Sequence, residues 1–412
     1  MALKPLLNSS EVGDSMLDTF TLQTLADTSL SSTKTNMTVT VSDAELRYEE
    51  CPWEVTSCQV QRYLFLVIAP ILVVLATIGN SLGLAVMRRK ALRQSATAVF
   101  ISALAISDMV AVWTGLSRHF VKKLTAYDIR QYSEWTCRFQ RFTLYLALDS
   151  SAWILGAISI ERFLAVCMPL QHRAFKVRSR ALKIVLGIIL FQTAYNCPVF
   201  FTYGEQTFDN KTYPCSFTSD AAKTYHTKYN TYISMVIYCV FPSVVMLTLN
   251  ICIIVRLIRI EKSFLRNATT TSRSQINAIS MTRMLLCVTF YFIIVTTPSF
   301  IFAIFQEKLF AQEIVTPEDF GQSEVVDAIF TLLLYLNHSI NFFLYCATGK
   351  KFKRELLKML GCYKFNRDRK QSERTTTCGT PLMMRSVKAS PSVLKKAEAK
   401  GPTSYADFSK SS

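Results

Sequence analysis

Residues 63–87 read YLFLVIAPILVVLATIGNSLGLAVM, 25 positions without a charged side chain. A helix needs about 20 mostly apolar residues to span the hydrocarbon core of a bilayer. This run is long enough. So are residues 98–116, 142–166, 182–201, 232–258, 284–305 and 325–346. The chain of 412 residues is 50% hydrophobic and only 18% charged, below the roughly 25% charge of a soluble domain. Its mean hydropathy is +0.24. A large soluble protein would hide such runs behind helices with one polar face, and seven runs in this chain leave no such helices. The expected fold is an all-α membrane protein, a seven-transmembrane helix bundle with a short amphipathic eighth helix.

Lys and Arg set the orientation. Basic segments follow the first run (MRRKALRQS), the third (HRAFKVRSRALK), the fifth (Arg256, Arg259, Lys262, Arg266, Arg273 and Arg283) and the seventh (GKKFKREL). That side is assigned to the cytoplasm, which puts the N-terminus outside. Arg118, Lys122, Lys123 and Arg130 lie on the outer side and run against the rule, but they are outnumbered. The net charge of +17 is then largely juxtamembrane and faces anionic lipid, so no nucleic-acid partner is required. The opening MALKPLLNSS lacks an apolar core and a cleavage site, so the first span is expected to act as its own signal. The expected organisation is a disordered outer tail over 1–60, the membrane domain over 61–348, the amphipathic helix over 349–362 and a disordered inner tail over 363–412. Sequons at Asn8, Asn36 and Asn210 fall outside and are glycosylation candidates. Those at Asn267 and Asn337 fall inside the cell or within a span and are expected to be silent.

Of the 12 cysteines, Cys137 and Cys215 face the oxidising side and are candidates for a bridge. Cys51 and Cys58 form a second candidate pair. Cys362 follows the basic amphipathic stretch and is a palmitoylation candidate, with an ordinary thiol as the equal alternative. Cys167, Cys197, Cys239, Cys252, Cys287 and Cys346 are read as small apolar packing residues.

Ionisable and polar residues inside spans are functional candidates. Here they are Asn80 in IGNSLGLAVM, Asp108 in LAISDMV, Glu161-Arg162-Phe163 at the end of the third run, and NFFLY, residues 341–345. Pro242 and Pro298 interrupt the fifth and sixth runs. In this order, over residues 60–360, the set resembles the rhodopsin-like (class A) G-protein-coupled receptors. INFFLYCATGKKFK and TTPSF look most like invertebrate neuropeptide receptors of the FMRFamide-receptor-like kind. The departures are Glu-Arg-Phe for Asp-Arg-Tyr, Phe342 for a proline, Thr296 for a tryptophan, no tryptophan in the fourth run, and Asn250 for a tyrosine.

The resemblance implies a receptor at the plasma membrane, not an enzyme, with a heterotrimeric G protein and arrestin as partners. It pairs Cys137 with Cys215. It makes Glu161, Arg162, Asn341 and Tyr345 the coupling switch, with Glu161 neutralising Arg162 at rest. It maps Asp108, Ser151, Asn337 and Asn341 onto an allosteric sodium site, the single expected cofactor; a polar network bridging helices is the plainer alternative. Ser372, Thr375, Thr376, Thr377, Thr380 and Ser386 are arrestin-site candidates when phosphorylated.

A peptide is the favoured ligand. Tyr335 stands where a retinal-binding lysine would be, and Leu144 where amine receptors resemble one another in an aspartate. The expected pocket comprises Arg118, His119, Arg141, Tyr145, Asp149, Gln192, Phe300, Asp327, Thr331 and Tyr335. Each aromatic taken singly is better read as helix packing. Asp149 needs a partner: a ligand guanidinium, Arg141 or water. A non-peptide small ligand, amine or lipid, is the alternative. A transporter would show repeat symmetry and a channel a filter or pore ring; neither is apparent, and the four histidines do not cluster by spacing.

Overall fold

The first apolar run folds as α1, Thr56–Met87. Its buried face follows helical spacing through Phe65, Ala69, Leu72, Ala76, Gly79, Gly83 and Val86. Its exposed face, through Val67, Ile71, Val74 and Ile78, is equally apolar. A helix that is greasy on its outward side suits lipid and not water. The computed structural model describes residues 55–171, 177–208, 211–267, 273–310 and 317–361. Asn8, Asn36, Asn210, Cys362 and residues 363–412 lie outside these. The expected tail boundary at residue 60 moves. Helix α1 starts at Thr56, because Cys58 and Gln61 are already packed against the protein. Cys58 is disulfide-bonded, and its expected partner Cys51 lies outside the described residues.

The other helices outrun their apolar stretches in the same way, because backbone hydrogen bonding continues through polar caps. Helix α2 spans Ala96–Thr125 and opens where Ser95 Oγ accepts the Ala98 N–H at 3.2 Å. It carries a widened π turn at Val112–Leu116. Helix α3, Glu134–Cys167, is capped by Ser133. Helix α4 spans Arg178–Thr202. Helix α5, Asp220–Ile260, has a π turn at Met235–Val240 just before Pro242, whose missing N–H unsettles the preceding turn. Helix α6 is Arg273–Phe310 and contains Pro298. Helix α7, Pro317–Thr348, runs unbroken through Phe342, where its family resemblance led one to look for a proline. Helix α8 is Lys350–Met359. Among the described residues, α1 to α5 and α7 are long and apolar enough to cross a membrane, and α6 carries a shorter apolar stretch, Leu285–Ser299.

Between α4 and α5 lies an antiparallel hairpin, β1 Tyr203–Phe208 and β2 Lys211–Phe217, paired Tyr203↔Phe217 at its open end. Cys215 on β2 is bonded to Cys137 on α3, with Cα atoms 5.5 Å apart. This covalent tie holds the hairpin over one end of the bundle.

Within the spans, several hydroxyls bond to their own helix. Thr77 donates to Val73 O at 2.7 Å, Thr114 to Val110 O at 2.7 Å and Ser339 to Tyr335 O at 2.8 Å. Lipid offers no other acceptor. Helix association then depends on close packing. Gly115, in the π turn of α2, is the tightest case: a Cβ there would sit 2.6 Å from Tyr335 Cζ and 2.8 Å from Leu144 Cδ1. A methyl at Gly156 would meet nothing within 4 Å. Gly115→Ala is therefore expected to cost about 1–3 kcal/mol through overpacking and to lower the melting temperature of the purified protein. Gly156→Ala should leave it within error, and equal behaviour of the two would refute this packing account.

Candidate functional site

Asp108 on α2 is the polar centre of the bundle and is fully buried. Its Oδ1 accepts from Ser151 Oγ of α3 at 2.8 Å and lies 2.8 Å from His338 Nδ1 of α7. Its Oδ2 accepts from Asn341 Nδ2, also of α7, at 2.8 Å. Asn80 Nδ2 of α1 donates to the His338 carbonyl at 3.2 Å. Four helices thus meet at one carboxylate and its neighbour. Of the four residues the resemblance grouped, the structure brings Asp108, Ser151 and Asn341 together. Asn337 is buried, but its Oδ1 makes no hydrogen bond and it does not join the carboxylate. His338 was missed, since 230 residues separate it from Asp108. Among the described residues no group of three or more His, Cys, Asp or Glu is arranged to hold a metal ion.

Toward the end of α3 away from the hairpin, Arg162 Nε donates to Glu161 Oε2 at 2.5 Å. Its Nη2 donates to Thr97 Oγ1 of α2, and that hydroxyl lies 3.3 Å from Glu161 Oε1. All three side chains are buried. The expected neutralisation of Arg162 by Glu161 is there, and Thr97 completes it. Nothing in the sequence singled out Thr97, a small residue in the first turn of a helix. Tyr345 does not join this group; its ring packs on Phe352 of α8 at 5.6 Å between centroids. Asn250, where a tyrosine was looked for, donates from Nδ2 to Thr289 Oγ1 at 2.6 Å and so links α5 to α6.

The hairpin end holds the expected ligand residues in separate groups. Arg118 is turned onto Asp128 through both Nε, at 2.8 Å, and Nη2. Burial alone would raise the Asp128 pKa, but the bonds and charge of Arg118 outweigh it and hold this carboxyl well below its ordinary range. The pair orders the turn between α2 and α3, and Arg130 Nε bonds Gln140 alongside. Arg141 lies over the Tyr203 ring at 4.3 Å and donates to Tyr145 Oη at 3.4 Å. Burial pushes the Tyr203 hydroxyl well above its ordinary value, so the ring stays neutral beneath the guanidinium. His119 stacks on Phe65 and meets Tyr335 edge-on.

Deeper in, Asp149 Oδ2 accepts from Asn196 Nδ2 of α4 at 2.8 Å. Arg141 is thus not the partner of this oxygen. Asp149 Oδ1 and both polar atoms of Gln192 are buried without a hydrogen bond. Asp327 is half-buried and Thr331 buried on α7; Phe300 is in α6, its side chain outside the described residues. A cavity of about 620 Å³ between the hairpin ends of α2 and α3 is lined by Trp113, Ser117, Arg118, Trp135 and Gln140. Of the expected ligand residues it includes only Arg118.

The Arg162 geometry makes a testable statement. Thr97→Ala and Glu161→Gln each remove one holder of the guanidinium, so each should lower the stability of the purified protein by about 1–3 kcal/mol, the cost of leaving a buried charged group partly unmet. The check is the melting temperature in detergent; unchanged melting in both variants would show that the network does not restrain Arg162.

The profile of a family described as "7 transmembrane receptor (rhodopsin family)" matches residues 79–345. The "FMRFamide receptor" of Drosophila melanogaster is 26% identical over 308 residues, covering 72% of this chain and 53% of that protein. The chain thus matches about half the length of that relative. The "FMRFamide peptide receptor frpr-18" of Caenorhabditis elegans is 26% identical over 300 residues, 71% of this chain and 68% of that one. The "Cholecystokinin receptor type A" of Rattus norvegicus is 28% identical over 125 residues, 30% and 28% of the two chains. The family match takes in Asp108, the Cys137–Cys215 bridge, the Glu161–Arg162 pair and Tyr345, the features around which the bundle is organised. The chain is a multi-pass membrane protein and belongs to the rhodopsin family of seven-transmembrane receptors, a family of receptors and not of enzymes.

Proposed function

We propose that this chain is a plasma-membrane receptor that binds an extracellular amidated peptide and activates a heterotrimeric G protein. Helices α1 to α7 are its seven spans and α8 its amphipathic eighth helix. The hairpin end faces outward, with the glycosylation sequons, and the Glu161–Arg162 end meets the G protein. Arrestin reads the phosphorylated inner tail, and anionic lipid contacts the basic inner segments. The family membership supports the coupling. Two relatives carry the name FMRFamide receptor, and that peptide ends in Arg-Phe-amide.

The observation that carries the ligand class is Asp149. It is a buried carboxylate with one oxygen bonded to Asn196 and the other without a hydrogen-bond partner, beside a span that also buries the unbonded amide of Gln192. An unmet acceptor of this kind in a low-dielectric site favours a cationic donor strongly. A guanidinium one residue from an amidated C-terminus fits it, entering C-terminus first, with Tyr145 and Tyr335 offering aromatic faces. The acidic outer segment with Glu49, Glu50 and Glu54 raises the local concentration of such a peptide. An amine ligand is less well served, because Leu144 occupies the position where the amine receptors carry an acid.

A peptide library read by calcium or cyclic-nucleotide response identifies the agonist. Asp149→Asn and Asp327→Asn should each weaken an Arg-Phe-amide agonist about ten-fold or more, on the order of 1.4 kcal/mol, with surface expression preserved. If both are silent while Arg141→Ala abolishes the response, the buried end of the ligand is anionic and the reading fails.

A further inference from the structure

The central carboxylate can be tested for its fit to a sodium ion. Sodium is a hard cation and takes oxygen ligands. An ion held by Asp108 would need the neighbouring side chains to turn oxygens toward a common point in front of that carboxylate. They present hydrogens instead. Ser151 Oγ donates its O–H to Oδ1 and Asn341 donates an N–H to Oδ2, each at 2.8 Å. His338 Nδ1 lies 2.8 Å from Oδ1.

A carboxylate offers about four lone-pair sites, and three side chains crowd this one at 2.8 Å. Ser151 and Asn341 could turn oxygens toward an ion by rotating. The imidazole cannot, because it has no oxygen. Nor can it step aside easily. His338 is completely buried, and its carbonyl is fixed by Asn80 Nδ2 at 3.2 Å. Asn337, the fourth expected ligand, leaves its Oδ1 without a hydrogen bond. The residues therefore do not fit a sodium cage, and the misfit is concentrated in one side chain.

We propose that His338 closes this site from within. Its imidazole takes the place in front of Asp108 that the family resemblance assigns to sodium, with Nδ1 2.8 Å from Oδ1, so the α2–α3–α7 junction is held by a group that cannot dissociate. The proposal concerns occupancy of that place. The receptor is then blind to extracellular sodium, and a small side chain at position 338 should restore the sensitivity by vacating the place and, for serine, supplying an oxygen.

The experiment needs no agonist and so does not depend on the peptide reading. Full-length receptor, wild type and His338→Ser, is purified in detergent. Its melting temperature is measured in sodium chloride and in choline chloride of equal ionic strength, near 0.15 M. The expected result is no difference for the wild type and a sodium-dependent rise of about 2 °C or more for His338→Ser, as mass action requires of an ion bound by the folded state alone. Adding Asp108→Asn to His338→Ser should abolish the rise. If His338→Ser does not accumulate, His338→Asn takes its place. A sodium shift in the wild type that Asp108→Asn removes would overturn the proposal. So would sodium indifference in both wild type and the position-338 variants, because His338 would then not be what excludes the ion.

Discussion

Lipid provides no hydrogen-bond partners, and that constraint governs most of what the spans do with their polar groups. Asp108 has no exposure, and a carboxylate in such a place is costly unless its acceptors are met. Three side chains from two other helices meet them. Asn80 extends the network to α1 through the His338 backbone. Because each helix brings a group that needs the others, the relative rotation of α1, α2, α3 and α7 is fixed by polar chemistry, and the apolar side chains fill in around it. Packing then sets the finer distances, as where the missing side chain of Gly115 leaves room for Tyr335.

The same constraint acts differently at the two ends of α3. At the hairpin end the chain supplies ordered turns and a covalent tie. Asp128 holds Arg118 and Cys215 holds Cys137, so this face is braced. At the other end Arg162 is held by the adjacent carboxylate on its own helix and by one hydroxyl from α2. A guanidinium buried on such terms depends on those two partners. The covalent bracing is thus at the hairpin end of α3, while the Arg162 end is held by polar contacts.

The sequence was most informative where a single segment carries its own signal. Apolar length located the spans, and Asp108, Ser151, Asn341 and the Glu161–Arg162 pair could be named because each sits at a recognisable place along one helix. It was silent where a residue acquires its role only through packing. Thr97 is an unremarked threonine until α2 lies against α3. His338 carries no such signal along the chain, because its partner is 230 residues away. Asn196 is likewise silent until α4 lies against α3, where it bonds one oxygen of Asp149. The π turns in α2 and α5 were also not legible, since a widened turn is a local answer to a proline or to crowding across the bundle. Arg118 lines the cavity at the hairpin end, and what the sequence did not show is that its charge is directed at a loop aspartate ten residues on.

Helices α1 and α7 are joined along much of their length. Ser57 bonds Glu318, Gln61 Nε2 donates to Glu324 at 3.0 Å, Asn80 donates to the His338 carbonyl, and Gly79 admits Phe342. These partners stand 258 to 263 residues apart in the chain, so the earliest span to leave the ribosome waits for the last before its polar groups are met. Until then Gln61 and Asn80 are unsatisfied in the bilayer, and such groups are costly there. The seam between first and last span is therefore complete only once the whole membrane domain has been made. A chain interrupted before α7 lacks all of it and leaves these polar groups of α1 without their α7 partners.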